Sequence, residues 1–332
     1  MNAPMRLRFL ARAAFFALFV LAPPLDLFRL DLTRGHFLLF GLDWTLDLRG
    51  VAPAEAALHL VVRAFLPIAL VIGTGVWVAW RYGRVYCGWL CPHFSVVEVI
   101  NGLMRRASGR VSLWQRQPPP EVQADGTRIH PHPVYWGAVV LAVLGFAFLW
   151  AVTLLSYLLP PAEVWGNLLA GRPTRNQALF LGVATGLFAI EFTLARHLFC
   201  RYGCAVGLFQ SLLWMANPRA LVVGFDRRHA EPCLQCDRSC EHACPMLLKP
   251  RRIKRHRFTC TQCQRCVQAC RDVNLPRGRH VPLQMVSGAC ALDVSERDFG
   301  RRPEVPDDCY RRPHEGRSRS ARGRLLEVGE EG

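Results

Sequence analysis

Eight cysteines between Cys233 and Cys270 fall into two closely spaced runs. The second reads Cys260-Thr-Gln-Cys263-Gln-Arg-Cys266-Val-Gln-Ala-Cys270. This is the C-x2-C-x2-C-x3-C spacing that holds a [4Fe–4S] cluster. The first reads Cys233-Leu-Gln-Cys236-Asp-Arg-Ser-Cys240-Glu-His-Ala-Cys244-Pro245 and carries one extra residue before its third cysteine. Short spacings let three thiolates converge on one cluster, while the displaced fourth reaches its neighbour. The expected ligation is therefore crossed: Cys233, Cys236, Cys240 and Cys270 around one cluster, Cys260, Cys263, Cys266 and Cys244 around the other. Zinc is the competing ion, since four-thiolate zinc sites also use paired C-x2-C elements. Four cysteines per run and the trailing Pro245 favour two [4Fe–4S] clusters, and hence an electron carrier.

Four further cysteines form two C-x3-C pairs, Cys87 with Cys91 and Cys200 with Cys204. Cysteines at i and i+4 share one helical face. Neither pair completes four-coordinate ligation alone, but together they can hold a metal or a third cluster, or act as a redox-active dithiol set. Burial as small hydrophobes is the plain alternative. The pairs belong to an internal repeat. Val85-Tyr86-Cys87-Gly-Trp-Leu-Cys91-Pro92 and Leu198-Phe199-Cys200-Arg-Tyr-Gly-Cys204-Ala205 each follow an apolar stretch and precede an interfacial segment, His93 to Met104 and Val206 to Ala216.

The elements that must position these cysteines are read from hydropathy. The 332 residues are 51% hydrophobic yet 20% charged, with mean hydropathy +0.15. Such a mixture fits apolar membrane spans with the charge held elsewhere. Four stretches suffice to cross a bilayer: about Phe9 to Phe28, Ala56 to Trp80, Val134 to Leu159, and Gln177 to Ala195. The first follows Arg6 and Arg8 like a signal peptide but lacks a small-x-small cleavage site, and reads as a retained anchor. Arginine is concentrated at the start, in the loop after the second span (Arg81, Arg84, Arg105, Arg106, Arg110, Arg116, Arg128) and after the fourth (Arg196, Arg201). By the positive-inside rule both termini and the cluster domain are cytoplasmic. The net charge of +16 is assigned to topology and anionic lipid, with no nucleic-acid partner.

The predicted fold is an α-helical membrane protein with four transmembrane helices and a small α+β two-cluster domain. Residues 1–220 form the membrane part, 221–298 the cluster domain and 299–332 a disordered basic tail. Cys290 and Cys309 lack ligand spacing and are expected as free thiols. Arg63 and Glu191 lie within spans; Arg63 either snorkels outward or serves a quinone or proton. Glu191 either contacts a neighbouring helix or handles a proton in quinol chemistry. His36, His59, His93 and His197 show no haem or copper spacing.

The segment Gly83-Arg-Val-Tyr-Cys87-Gly-Trp-Leu-Cys91-Pro92, with Glu98 beyond it, resembles the membrane-bound polyferredoxins. These include the FixG/CcoG-type oxidase accessory proteins, the NapH-type quinol dehydrogenase subunits and the NosR-type proteins. Cys200-Arg-Tyr-Gly-Cys204 with Leu208 to Ser211 resembles their second element, though Ala205 stands where the family has proline. Leu221 to Asp226 with Glu231-Pro232, and Arg34 to Leu42, resemble stretches of the FixG type, whereas the four spans are closer to the NapH type. The resemblance implies electron relay between the quinone pool and a respiratory or redox protein partner, either as part of a quinol dehydrogenase or as a reductase. Its alternative is an accessory factor, a metal or thiol reductase for assembling a respiratory enzyme such as a copper-containing oxidase. Thiolates suit Cu(I) in that role. The implied location is the inner membrane, multi-pass.

Overall fold

The computed structural model describes residues 3–310 apart from 49, 116, 117, 124, 125 and 127. Arg116 of the charge pattern, and residues 311–332 of the expected disordered tail, lie outside the described residues. The chain divides into two compact units: residues 1–78, 86–116 and 131–204, and residues 79–85, 117–130 and 205–332.

The first unit is helical. Its elements are α1 (Ala3–Leu21), a β1–β2–β3 meander (Phe28–Asp31, His36–Leu39, Leu42–Trp44), α2 (Pro53–Leu60), α3 (Leu66–Tyr82), α4 (Val85–Trp89), α5 (Pro92–Ser108), α6 (Tyr135–Leu158), α7 (Pro161–Leu169) and α8 (Arg175–Ile190). The π stretch Val61–Phe65 joins α2 to α3 as one helix, Pro53–Tyr82, and another extends α8 to Ala195. The first π stretch has a local cause: Trp44 Nε1 donates to the Arg63 carbonyl at 3.1 Å, and an inserted donor loosens the helical ladder.

Three helices among the described residues are long and apolar enough to cross a membrane: Pro53–Tyr82, Tyr135–Leu158 and Arg175–Ala195. The first expected span is α1, which ends at Leu21 rather than Phe28 and carries Arg6, Arg8 and Arg12. Helix α6 is the centre of the unit. Val139, Val143, Ala147 and Trp150 pack on Val96, Ile100 and Met104 of α5. One turn further, Ala151, Val152 and Leu155 pack on Val164 of α7 and Leu181 of α8. Phe16 of α1 stacks on Trp150 at 5.6 Å, and Phe19 meets the same ring tilted at 4.7 Å. Helix α8 starts with a capping box between Thr174 and Gln177, which satisfies two orphan backbone donors.

The second unit holds the end of α3, α9 (Ala205–Ala216), the antiparallel pair β4 (Val222–Phe225) and β5 (Leu283–Val286), α10 (Ser239–His242), α11 (Arg265–Asn274) and α12 (Ala289–Ser295). Trp214 is fully buried among Ala220, Val222, Val286, Ala291 and Val294. Lys254 donates to the carbonyls of Trp214 and Asn217 at 2.8 and 2.7 Å and lies 4.6 Å above the indole ring. Gly83, at φ +70°, faces the same indole so closely that a Cβ would stand 2.8 Å from it. Cys290 and Cys309, expected as free thiols, are joined by a disulfide. The reason is tertiary: Tyr310 packs into the Trp214 cluster and donates to Asp293 at 3.2 Å, bringing the stretch around Cys309 onto α12.

Candidate functional site: the cysteine sets

The two runs share one backbone device. Gln264 is left-handed (φ +61°) and precedes α11, with Cys266 two residues on. Arg238 is left-handed (φ +64°) and precedes α10, with Cys240 two residues on. The extra residue of the first run is thus Asp237, inserted ahead of the equivalent turn. Its carboxylate accepts from Ser239 Oγ at 2.5 Å, fixing the helix start. Gln262 is left-handed as well (φ +53°). Such turns aim backbone N–H groups inward, making a concavity for an anion.

The fourth cysteines cross over. Cys244 shares a cavity with Cys260, Cys263 and Cys266, closed by Met246, Leu248 and Arg257. Cys270 lies within electrostatic reach of Cys233 and Cys236, and Cys240 of Cys270 and Cys236. Burial pushes the thiols of Cys240 and Cys244 up to about 12 and that of Cys270 up to about 11. Cys233 and Cys260 are raised by burial too. Buried thiols of this kind ionise only against a compensating cation, so metal binding would release their protons.

Compensation is partly built in. Arg251 opposes the upward shift of Cys233 and Cys240 and is held by Glu241 at 2.8 Å. Arg257 and Arg84 do the same for Cys260. Arg257 is itself buried and donates to the Val223 carbonyl at 2.7 Å. N–H donors reach the sulfurs directly: Leu248 to Cys244 at 3.4 Å and Asn274 Nδ2 to Cys270 at 3.5 Å. Donors and charge of this kind set cluster potential. The segment from Lys249 to Arg257 is basic, and packing buries Lys254 and Arg257.

In the first unit, Cys87 is buried in α4, and Cys91 is the residue before α5. Cys200 is buried in the π turn Phe199–Gly203, and Cys204 ends that turn, immediately before α9. The two repeats therefore place their second cysteines alike. Pro92 and Ala205 both open helices, so the missing proline is replaced by a good helix former. Cys87, Cys91 and Cys204 lie close enough to raise the Tyr86 phenol, with burial, to about 12. Burial pushes Cys91 up to about 11, against backbone donors from Phe94 and His93.

Beside them, His93 Nε2 lies 3.4 Å from Glu191 Oε1, both largely buried. The His93 ring is 5.4 Å from Phe192 and 5.2 Å from Phe199. Glu191 thus contacts α5, the neighbouring-helix reading. Arg63 turns to Asp47 and the Thr45 carbonyl, the outward reading. Glu98 receives both Arg8, at 2.8 Å, and Arg12. His36 faces Asp43 and His59 the Asp47 carbonyl, while burial holds His197 down at about 4.

Among the described residues, the one set of three or more ligating side chains whose donor atoms all lie within 4.8 Å is Asp226, His229 and His280.

The geometry defines a mostly helical protein with three helices long and apolar enough to cross a membrane and with its cysteines gathered in sets. Residues 64–110 and 176–221 each match the family described as 4Fe-4S binding domain. Those two matches enclose the two C-x3-C elements. The chain is 23% identical to a protein of Escherichia coli named as the electron transport protein YccM, over 70% of this chain and 58% of that protein. It is 29% identical to an uncharacterized protein of Methanocaldococcus jannaschii, over 58% of this chain and 64% of that one. It is 22% identical to the ferredoxin-type protein NapH of Escherichia coli, over 57% of this chain and 60% of NapH. The chain therefore spans about three fifths of the length of these relatives. No solved structure matches it. Together these likenesses link the chain to proteins named for 4Fe-4S binding, electron transport and ferredoxin-type character.

Proposed function

We propose that the protein is a membrane-bound iron–sulfur electron carrier that relays electrons between the quinone pool and a redox protein partner. The observation that carries this reading is the crossing of the two cysteine runs, Cys244 with Cys260, Cys263 and Cys266, and Cys270 with Cys233, Cys236 and Cys240. These residues would hold two [4Fe–4S] clusters, which supply one-electron chemistry when bound. Arg251 and Arg257 offset negative charge on each set, and the left-handed turns direct N–H groups toward it. Residues 1–220 form the membrane part in this reading, and 221–298 the cytoplasmic cluster domain. Helix α1 is counted as the fourth span because Glu98 neutralises Arg8 and Arg12, removing much of the penalty for burying them.

The quinone end is assigned to the membrane-edge cysteines with His93 and Glu191. Quinol oxidation yields two electrons and two protons; in this reading the His93–Glu191 pair would take the protons, and Cys87, Cys91, Cys200 and Cys204 would hold a third redox centre. The likeness of each C-x3-C element to a 4Fe-4S binding domain supports this. A second reading, a thiol or metal reductase serving assembly of a respiratory enzyme, draws on the grouping of Cys87, Cys91 and Cys204 beside Tyr86. Quinol oxidation by Cys87→Ala separates the two. The relay predicts that turnover is lost while the iron held by Cys233 to Cys270 is retained. Unchanged turnover, or stoichiometric Cu(I) binding that Cys87→Ala abolishes, would favour the reductase.

A further inference from the structure

Asp226 closes strand β4, and its backbone N–H donates to the Pro282 carbonyl at 2.8 Å, just ahead of β5. This register brings His280 to the same end of the ribbon. The Asp226 carboxylate is oriented from behind: Oδ1 accepts the backbone N–H of Arg228 at 3.0 Å. Oδ2 is left facing two imidazoles, His229 Nδ1 at 2.9 Å and His280 Nε2 at 3.0 Å. The two rings stand 5.3 Å apart at 61°. Asp226 and His280 are largely buried, and His229 is half-exposed.

Hydrogen bonding accounts for only half of this arrangement. His229 bonds the carboxylate. His280 does not: both its ring nitrogens are buried with no hydrogen-bond partner, although Nε2 is within 3.0 Å of an oxygen. Convergent donor atoms without a proton aligned between them suit a shared cation. All three donor atoms lie within 4.8 Å of one another. An ion bonded at about 2.0–2.2 Å would space its ligands about 3.3 Å apart, close to the 2.9 and 3.0 Å that separate Asp226 from the two imidazoles. Two imidazoles and one carboxylate form a ligand set for divalent first-row ions and leave positions open. Asp226 and His229 border a cleft of about 640 Å³ that Asp293, Arg297 and Tyr310 also line, so the open positions face solvent.

We infer that Asp226, His229 and His280 form a mononuclear site for a divalent transition-metal ion such as zinc, separate from the cysteine sets and open to this cleft. None of the three lies in a cysteine run, and the site does not depend on the electron-relay reading. The neighbouring Val281 packs with Cys240, Cys266 and Cys270, so an ion bound here braces the end of the ribbon that covers those cysteines.

The test is titration of the full-length, iron-loaded protein in detergent with Co²⁺ as probe, read by its visible spectrum, and with Zn²⁺ by metal analysis. One extra equivalent per chain is expected, with ligand-field bands of nitrogen and oxygen coordination and no thiolate-to-cobalt charge transfer. His229→Gln, at the half-exposed position, and Asp226→Asn, which preserves the side-chain shape, should each weaken binding about 100-fold with iron content unchanged. Absence of the extra equivalent, thiolate charge-transfer bands, or binding that both variants leave intact would overturn the inference.

Discussion

Arg251 compensates charge at one cysteine set, and Arg257 with Arg84 at the other. Arg257→Gln should lower the reduction potential of the centre held by Cys244, Cys260, Cys263 and Cys266 by on the order of 50–100 mV, the effect of removing one nearby charge at moderate effective dielectric. Arg251→Gln should act on the other centre. Potentiometric EPR titration of both variants checks this; equal shifts of both centres would contradict the division. The grouping of the cysteines was legible in the sequence because short spacing is local and survives without knowledge of the fold. The arginines were not, since whether a basic residue points inward depends on packing, as with Lys254 against Trp214. The Asp226, His229 and His280 set was hidden for the same reason: only the pairing of β4 with β5 brings His280 to Asp226.

At the scale of elements, helix α1 was expected to be the first of four spans, and its arginines find an anion: Arg8 and Arg12 meet Glu98 of α5, 90 and 86 positions away. Arg8 also donates to the Gly88 carbonyl in α4 at 2.8 Å. This joins α1, α4 and α5 around the first cysteine pair. Glu98→Gln would leave two largely buried guanidinium groups without their anion, a loss of about 3–5 kcal/mol. The expected outcome is a clear drop in the thermal midpoint in detergent, together with loss of whatever metal Cys87 and Cys91 hold. An unchanged midpoint would mean that water already compensates these arginines. The other three spans were read to within a few residues, because long apolar runs leave few alternatives. Their π stretches were not, since these follow from tertiary contacts such as Trp44 to the Arg63 carbonyl.

For the whole molecule, the Cys290–Cys309 pair reports which side of the membrane the cluster unit faces. Its members stand 19 positions apart, with no ligand spacing to announce them. Disulfides rarely persist in a reducing cytoplasm. With the cluster unit cytoplasmic, acid-trapped cells should show both thiols free to alkylation, and oxidation should close the bond after aerobic purification. A disulfide already complete in intact cells would put this unit on the oxidising face and reverse the topology drawn from the arginine pattern.

The crossed ligation is tested most directly by anaerobic purification of the wild type, Cys244→Ser and Cys240→Ser, with iron and sulfide counted and EPR recorded after dithionite reduction. The crossed assignment predicts about eight irons from the two runs, plus an excess if the membrane-edge cysteines hold a further core. Cys244→Ser should perturb the centre of Cys260, Cys263 and Cys266 and spare the other, with Cys240→Ser doing the reverse. Zinc in place of iron, or both variants striking the same centre, would contradict it.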